Sequence, residues 1–270
     1  MILVATGLRQ ERNILEGAGV LVVAGGGDGA RLERELEAAA GDAEAVISMG
    51  LCGALAEGLR PGHWVIGTRV IPSPPAGEGV GGADGWGVRG GAASDALETP
   101  PSEPLRGPPS PQGGRNFEGR PTAQGWAALL MRALPHAHSG PVLGSDAMIA
   151  EAADKRAAHE STGAIAVDME SHIAAAVAAR HGLPFAIARV VSDAADRSLP
   201  RAAQAGMAAD GRMDIAAVLK ALAADPLQLP ALIRVGAEAG TAFRALRRGR
   251  DLLGPGLGRA NLGQLLLDVT

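Results

Sequence analysis

The chain contains no tyrosine, three phenylalanines and three tryptophans, so aromatic side chains make up 2% of its 270 residues. A formal net charge of -4 and a pI near 5.9 add a shortage of basic surface. Together these remove the stacking rings and cationic stripe that nucleic-acid binders use, and no polynucleotide partner is expected. Cys52 is the single cysteine, which excludes an internal disulfide. No stretch of about 18 uncharged apolar residues occurs, which argues against a membrane-crossing helix. The opening MILVATG lacks the basic start and long apolar segment of a secretory leader. The expected location is therefore cytoplasmic.

What the chain does have is 47% hydrophobic residues arranged in short runs. Strands are predicted at Ile2–Ala5, Val20–Ala24, Ala45–Ser48, Trp64–Ile71, Ala164–Val167 and Phe185–Val191. Helices are predicted at Arg31–Ala40, Ala147–Glu160 and Met169–His181. This alternation predicts an α/β fold, a mixed central sheet flanked by helices in three layers. From Pro72 to Pro121 the pattern fails, because 22 of 50 residues are Gly or Pro. Such a stretch buries little surface, so 72–122 is read as a flexible insertion, with a lid over a site as the other reading. Regular structure is expected again near Ala123. We divide the chain into a main domain over 1–225 and a basic amphipathic helical extension over 226–270, which carries Arg234, Arg244, Arg247, Arg248 and Arg250. That extension suits either packing on the body or a partner subunit, or peripheral contact with the inner membrane surface.

Gly25, Gly27 and Ala30 have the spacing of a dinucleotide fingerprint. The next strand, however, ends in Ser48-Met49-Gly50-Leu51 rather than in the acid that would hold a ribose, so the glycines read as a permissive turn. A dehydrogenase is the minor alternative. Three acids stand where strands are expected to end: Glu11, Glu170 and Asp193. Strand ends of an α/β sheet open on a common crevice, so the three are candidates for one site. Any one alone is explained as well by a helix cap or a solvated loop acid. Cys52 has no base beside it and reads as a structural thiol. The six histidines, with His136 and His138 placed in a loop, form no metal-binding pattern, and neither metal nor organic cofactor is expected.

Taken together, AVDMES at 166–171 and ARVVSDAAD at 188–196 resemble the paired signature of purine nucleosidases and nucleoside phosphorylases. VISMGLCGAL at 46–55 is similar to that superfamily's Gly-rich substrate loop, and GSDAMI at 144–149 to the segment lining its base pocket. The stretch from Val167 to Pro200, AAQAGMAADGRMDIAAVLKAL at 202–222 and the C-terminal segment from Leu229 to Gly258 together resemble the hopanoid-associated branch.

The resemblance implies cleavage of the N-glycosidic bond of a 5′-substituted adenosine, adenosylhopane in that branch, and a small-molecule or lipid-linked nucleoside as partner. It also implies a homo-oligomer, in the simplest case a dimer. By carry-over, Asp193 is the proton donor to adenine, oriented by Ser192, with Asp196 as a neighbour able to favour its acid form. Glu170 accepts the ribose hydroxyls and Met169 packs on the sugar. Met148 and Ile149 fall in the base pocket, and Gly50 and Leu51 in the substrate loop. Glu11 stands where water-activating relatives place their glutamate. Leu51 replaces a phosphate-holding hydroxyl, which favours hydrolysis. Arg9 and Arg12 beside Glu11 keep phosphate, and hence phosphorolysis of the same substrate, as one alternative, and a nucleosidase acting on small adenosines such as methylthioadenosine is the other.

Overall fold

The computed structural model describes residues 1–73, 119–205 and 215–259. The Gly/Pro-rich insertion lies, except at its ends, outside the described residues.

The strands are β1 (Ile2–Thr6), β2 (Val20–Ala24), β3 (Ala45–Ala54), β4 (Trp64–Pro72), β5 (Arg120–Pro121), β6 (Ala137–Gly144), β7 (Ala166–Asp168) and β8 (Phe185–Asp193). The helices are α1 (Arg9–Leu15), α2 (Gly29–Ala40), α3 (Gln124–Ala133), α4 (Ala152–Thr162), α5 (Ser171–Arg180), α6 (Arg201–Ala205), α7 (Ile215–Ala224) and α8 (Leu229–Leu253). The expected α/β class with a mixed, helix-flanked sheet is what forms. β1 pairs in parallel with β2 and β3, and β3 pairs in parallel with β8. β8 then pairs antiparallel with β4, β4 parallel with β6, β6 parallel with β7, and β7 antiparallel with β3. β3, β8, β4, β6 and β7 thus close into a ring, with β1 and β2 continuing the sheet outward.

Strict alternation along the buried strands builds two cores. Leu3, Ala5, Val46 and Ile187 face one side with Leu32, Leu36 and Val177. Ile2, Val4, Ile47, Ala186 and Val190 face the other with Leu15, Trp126, Leu246 and Leu253. The second half of α8 is therefore part of the body: Gly249 lets the helix approach Trp64, whose ring lies 2.2 Å from where a Cβ would stand. Its N-terminal end differs, because Leu229 and Ile233 are exposed, as is Leu227 in the turn just before it, at 89%. Among the described residues no single helix is long and apolar enough to cross a membrane. The pair Ala216–Ala224 and Pro226–Leu253 reaches that hydropathy only together and across a 114° bend.

Three expectations are corrected. β3 does not stop at Ser48 but runs to Ala54, because β8 and β7 pair with it that far, so Gly50 and Leu51 lie in a strand and not in a loop. α4 starts at Ala152 rather than at Ala147. Ser145 turns the chain first, its hydroxyl donating to the Ala147 carbonyl at 2.8 Å, and Met148 and Ile149 precede the helix. His138 belongs to β6, an unexpected strand whose Gly140 and Pro141 hide it from propensity, while His136 stands just before it. The β3–β8 register also carries an irregularity. Cys52 pairs with Val191 and Gly53 with Asp193, so Ser192 is one residue too many.

Candidate active site

The C-terminal ends of β1 and β7 and the middle of β3 meet around Arg189, which lies midway along β8 and is 0% exposed. Its Nε lies 3.1 Å from Asp168 Oδ2 and its Nη2 3.1 Å from Glu170 Oε2. Nη2 also donates to Ser48 Oγ at 2.5 Å, and Nη1 to the Leu51 carbonyl at 3.3 Å. A buried guanidinium is tolerable only with such partners, and its planar fork reaches two carboxylates at once.

Asp168 closes β7 and caps α5. Its Oδ1 accepts from the amides of Glu170 and Ser171 at 3.0 and 2.7 Å, and its Oδ2 from Ser171 Oγ at 2.5 Å. This fixes the backbone of Glu170, which is the N-cap residue of α5. Glu11 reaches the same centre from the first turn of α1. Its Oε2 accepts from Thr6 Oγ1 at 2.6 Å and from the amides of Gly7 and Leu8 at 2.8 and 2.6 Å. Its Oε1 accepts from the Leu51 amide at 2.7 Å, so this oxygen retains room for a further donor.

Packing at this centre leaves no space for a side chain on β3. A Cβ on Gly50 would stand 2.7 Å from Thr6 Oγ1, 2.8 Å from Arg189 Nη1 and 2.9 Å from Glu11 Oε1. Three carboxylates surround one guanidinium, and the imbalance falls on Glu170. Burial first, then the Asp168 and Glu11 carboxylates, outweigh Arg189 and push Glu170 up to about 7. Burial, helped by the charge of Asp168, likewise raises the Cys52 thiol well above its usual value, as befits an inert structural thiol.

Asp193 ends β8, four residues beyond Arg189. Its Oδ1 accepts from Ser192 Oγ at 2.6 Å, and its Oδ2 from Lys155 Nζ of α4 at 2.5 Å. The expected acidic neighbour is absent from this position. Asp196 is 73% exposed and lies 3.8 Å from Arg197, so the group beside Asp193 is a cation. Ile149 is buried in a cluster with Leu55, Leu143 and Val167, and Met148 is half-buried beside it. Arg12 is tied to Glu16 at 2.7 Å on the surface, and Arg9 is exposed.

A cavity of about 440 Å³ opens next to Glu170 and Met169, between α2 and α5. Gly25 and Gly27 line it, together with Leu32, Ile173 and Ala176, whereas Asp193 does not. The glycine turn expected to be permissive thus forms one wall, with Gly26 and Gly27 at φ of 64° and 83°. Among the described residues no group of three or more His, Cys, Asp or Glu side chains is placed to hold a metal ion.

Sequence reasoning missed Arg189, Asp168 and Lys155. Arg189 had a visible signal, a charged residue inside the apolar run FAIARVVS, and Lys155 occupies the inward stripe of α4 with Ala158. Chemically, the site offers carboxylate acceptors for hydroxyls. Asp193, outside the cavity lining, is a separate carboxyl held by a lysine and a serine.

The sequence profile described as the phosphorylase superfamily matches residues 9–224. No curated protein matches the sequence. Solved structures share the fold at low identity. S-adenosylhomocysteine nucleosidase from Streptococcus pyogenes is 18% identical over 72% of this chain and 85% of that one, with a TM-score of 0.51. The 5′-methylthioadenosine/S-adenosylhomocysteine nucleosidase from Helicobacter pylori is 13% identical over 92% and 96%, with a TM-score of 0.52.

Proposed function

We propose, from the premise that this chain belongs to the phosphorylase superfamily and is an enzyme, that it cleaves the N-glycosidic bond of a 5′-substituted adenosine by hydrolysis. The observation that carries the reading is the pair of unlike groups: Glu170 paired with Arg189 beside Glu11, which holds the Leu51 amide, and Asp193 held separately by Lys155 and Ser192.

Bond breaking builds positive charge on the ribose and electron density on the departing purine. Glu170 accepts hydrogen bonds from the ribose hydroxyls and, as an anion, favours the cationic sugar. Asp193 passes a proton to N7, so that adenine leaves neutral. Glu11 accepts a proton from attacking water through Oε1, the less occupied of its oxygens. Arg12 is engaged with Glu16 and Leu51 offers no hydroxyl, both of which favour water over phosphate.

The cavity beside Glu170 takes the 5′ substituent, since it adjoins the ribose end and excludes Asp193. Leu32, Ile173 and Ala176 give it an apolar wall for a hydrocarbon group, with Asp28, Glu33, Asp146 and His172 also in its lining. Adenosylhopane is the substrate we favour, from the resemblance of the 167–200 and 229–258 segments. The exposed Leu227, Leu229 and Ile233 give the C-terminal extension apolar surface for such a lipid. Chromatography of adenine released from 5′-methylthioadenosine and from a 5′-alkyl adenosine of lipid length, with and without phosphate, tests this. Release that requires phosphate would replace hydrolysis with phosphorolysis, and no release from either would end the proposal.

A pH dependence follows from Glu170. Below its raised value of about 7 it is neutral and loses acceptor strength toward the ribose, and above it the carboxylate binds fully. The kcat/KM of the free enzyme is expected to rise with pH as Glu170 ionises through about 7, falling about tenfold per unit on the acid side. Glu170→Gln is expected to lower kcat/KM and erase that limb. A limb that persists in the variant assigns it to another group.

A further inference from the structure

Lys155 has no part in the reaction as derived so far, yet it is fully buried, and a buried ammonium is costly unless every hydrogen is placed. All three are. Nζ donates to Asp193 Oδ2 at 2.5 Å, to the Arg197 carbonyl at 2.8 Å and to the Ala194 carbonyl at 3.2 Å. The two carbonyls belong to the turn that follows Asp193, so α4 clamps the end of β8 and its acid in one grip. Ser192 Oγ fixes the other carboxyl oxygen, with Cys52 supplying a carbonyl 3.0 Å from the hydroxyl. An anchor for the turn alone needs only the carbonyl bonds. The short contact to Oδ2 puts the cation on the one oxygen that Ser192 leaves open.

We propose that Lys155 is a positioning residue for the acid, holding the Asp193 carboxyl in place and stabilising the negative charge that appears there as the proton leaves. This rests on the reading of Asp193 as proton donor. In the step, the Asp193 O–H bond breaks and an N7–H bond forms, while the electron pair of the C1′–N9 bond moves into the purine. Lys155 keeps its three protons throughout. The charge that builds on Oδ2 meets a fixed ammonium and needs no solvent reorganisation, which is the setting in which a single preset group contributes most.

The test is a comparison of leaving groups combined with a double-mutant cycle. Lys155→Met is expected to lower kcat for adenine release from 5′-methylthioadenosine about a hundredfold, with KM changed less than about threefold. On 4-nitrophenyl β-D-ribofuranoside, whose phenolate departs without a proton, the same variant is expected to lose less than about threefold. In an Asp193→Asn background, adding Lys155→Met is expected to cost nothing further, because the lysine acts only through the acid. Lys155→Arg is expected to recover part of the loss, and it carries the test should Lys155→Met fail to fold. Equal losses on both substrates, or losses that add in the double variant, would overturn the inference. Should Asp193→Asn alone release adenine at the parent rate, the acid assignment itself fails, which is a separate outcome.

Discussion

Replacing Arg189 by methionine is expected to destabilise the protein by about 3–5 kcal/mol, the cost of leaving buried charges without their partner. The guanidinium is sealed from water, and Asp168, Glu170 and Ser48 are oriented on it. Methionine fills comparable volume, so the loss isolates the charge rather than a cavity. The deficit should also depend on pH with a definite sign. At pH 8 the abandoned acids are ionised or must be held neutral at a cost, whereas near pH 5 Glu170, already pushed up to about 7, takes a proton without penalty. The variant is therefore expected to lose more stability at pH 8 than at pH 5. Urea melts at the two values read this directly. A loss below about 1 kcal/mol at both would show that the cluster does not depend on the cation.

Asp193→Asn is expected to slow adenine release by about 10²- to 10⁴-fold while substrate still binds. The amide oxygen can still accept from Lys155, and Lys155 keeps the Ala194 and Arg197 carbonyls, so the local structure has reason to survive. What the amide cannot do is deliver a proton, and only the transition state requires one, so the effect belongs in kcat and not in affinity. Single-turnover release measured beside ligand binding separates the two. Release at the parent rate removes Asp193 from the chemistry.

The legible parts of this molecule are those where one physical rule dominates. Val20–Ala24 is a β-branched apolar run whose predicted limits match β2, an edge strand with Val22 and Val23 buried and Leu21 exposed, where residue type alone marks the element. The turn at Gly25–Gly27 follows from the φ > 0 positions that only glycine adopts freely. Glu11, Glu170 and Asp193 were identifiable as acids next to apolar strands. The chain gave less warning of where their partners come from. Arg189 pairs with residues about 20 positions upstream, and Lys155 with an acid 38 positions away, so neither pairing leaves a local spacing. β6 was hidden because Gly140 and Pro141 disfavour strand, and pairing with β4 and β7 overrides that preference. The extension of β3 past Ser48 is likewise decided by its neighbours, not by Gly50 or Gly53.

The surplus residue at Ser192 has a further implication for how the protein tolerates change. Because strand side chains alternate, one added or removed position reverses every residue beyond it. Without that extra step between Val191 and Asp193, the acid would turn away from the side on which Lys155 waits, even though every neighbouring strand stayed paired. An insertion or deletion within the four positions 190–193 is therefore expected to part the Asp193 carboxyl from Lys155.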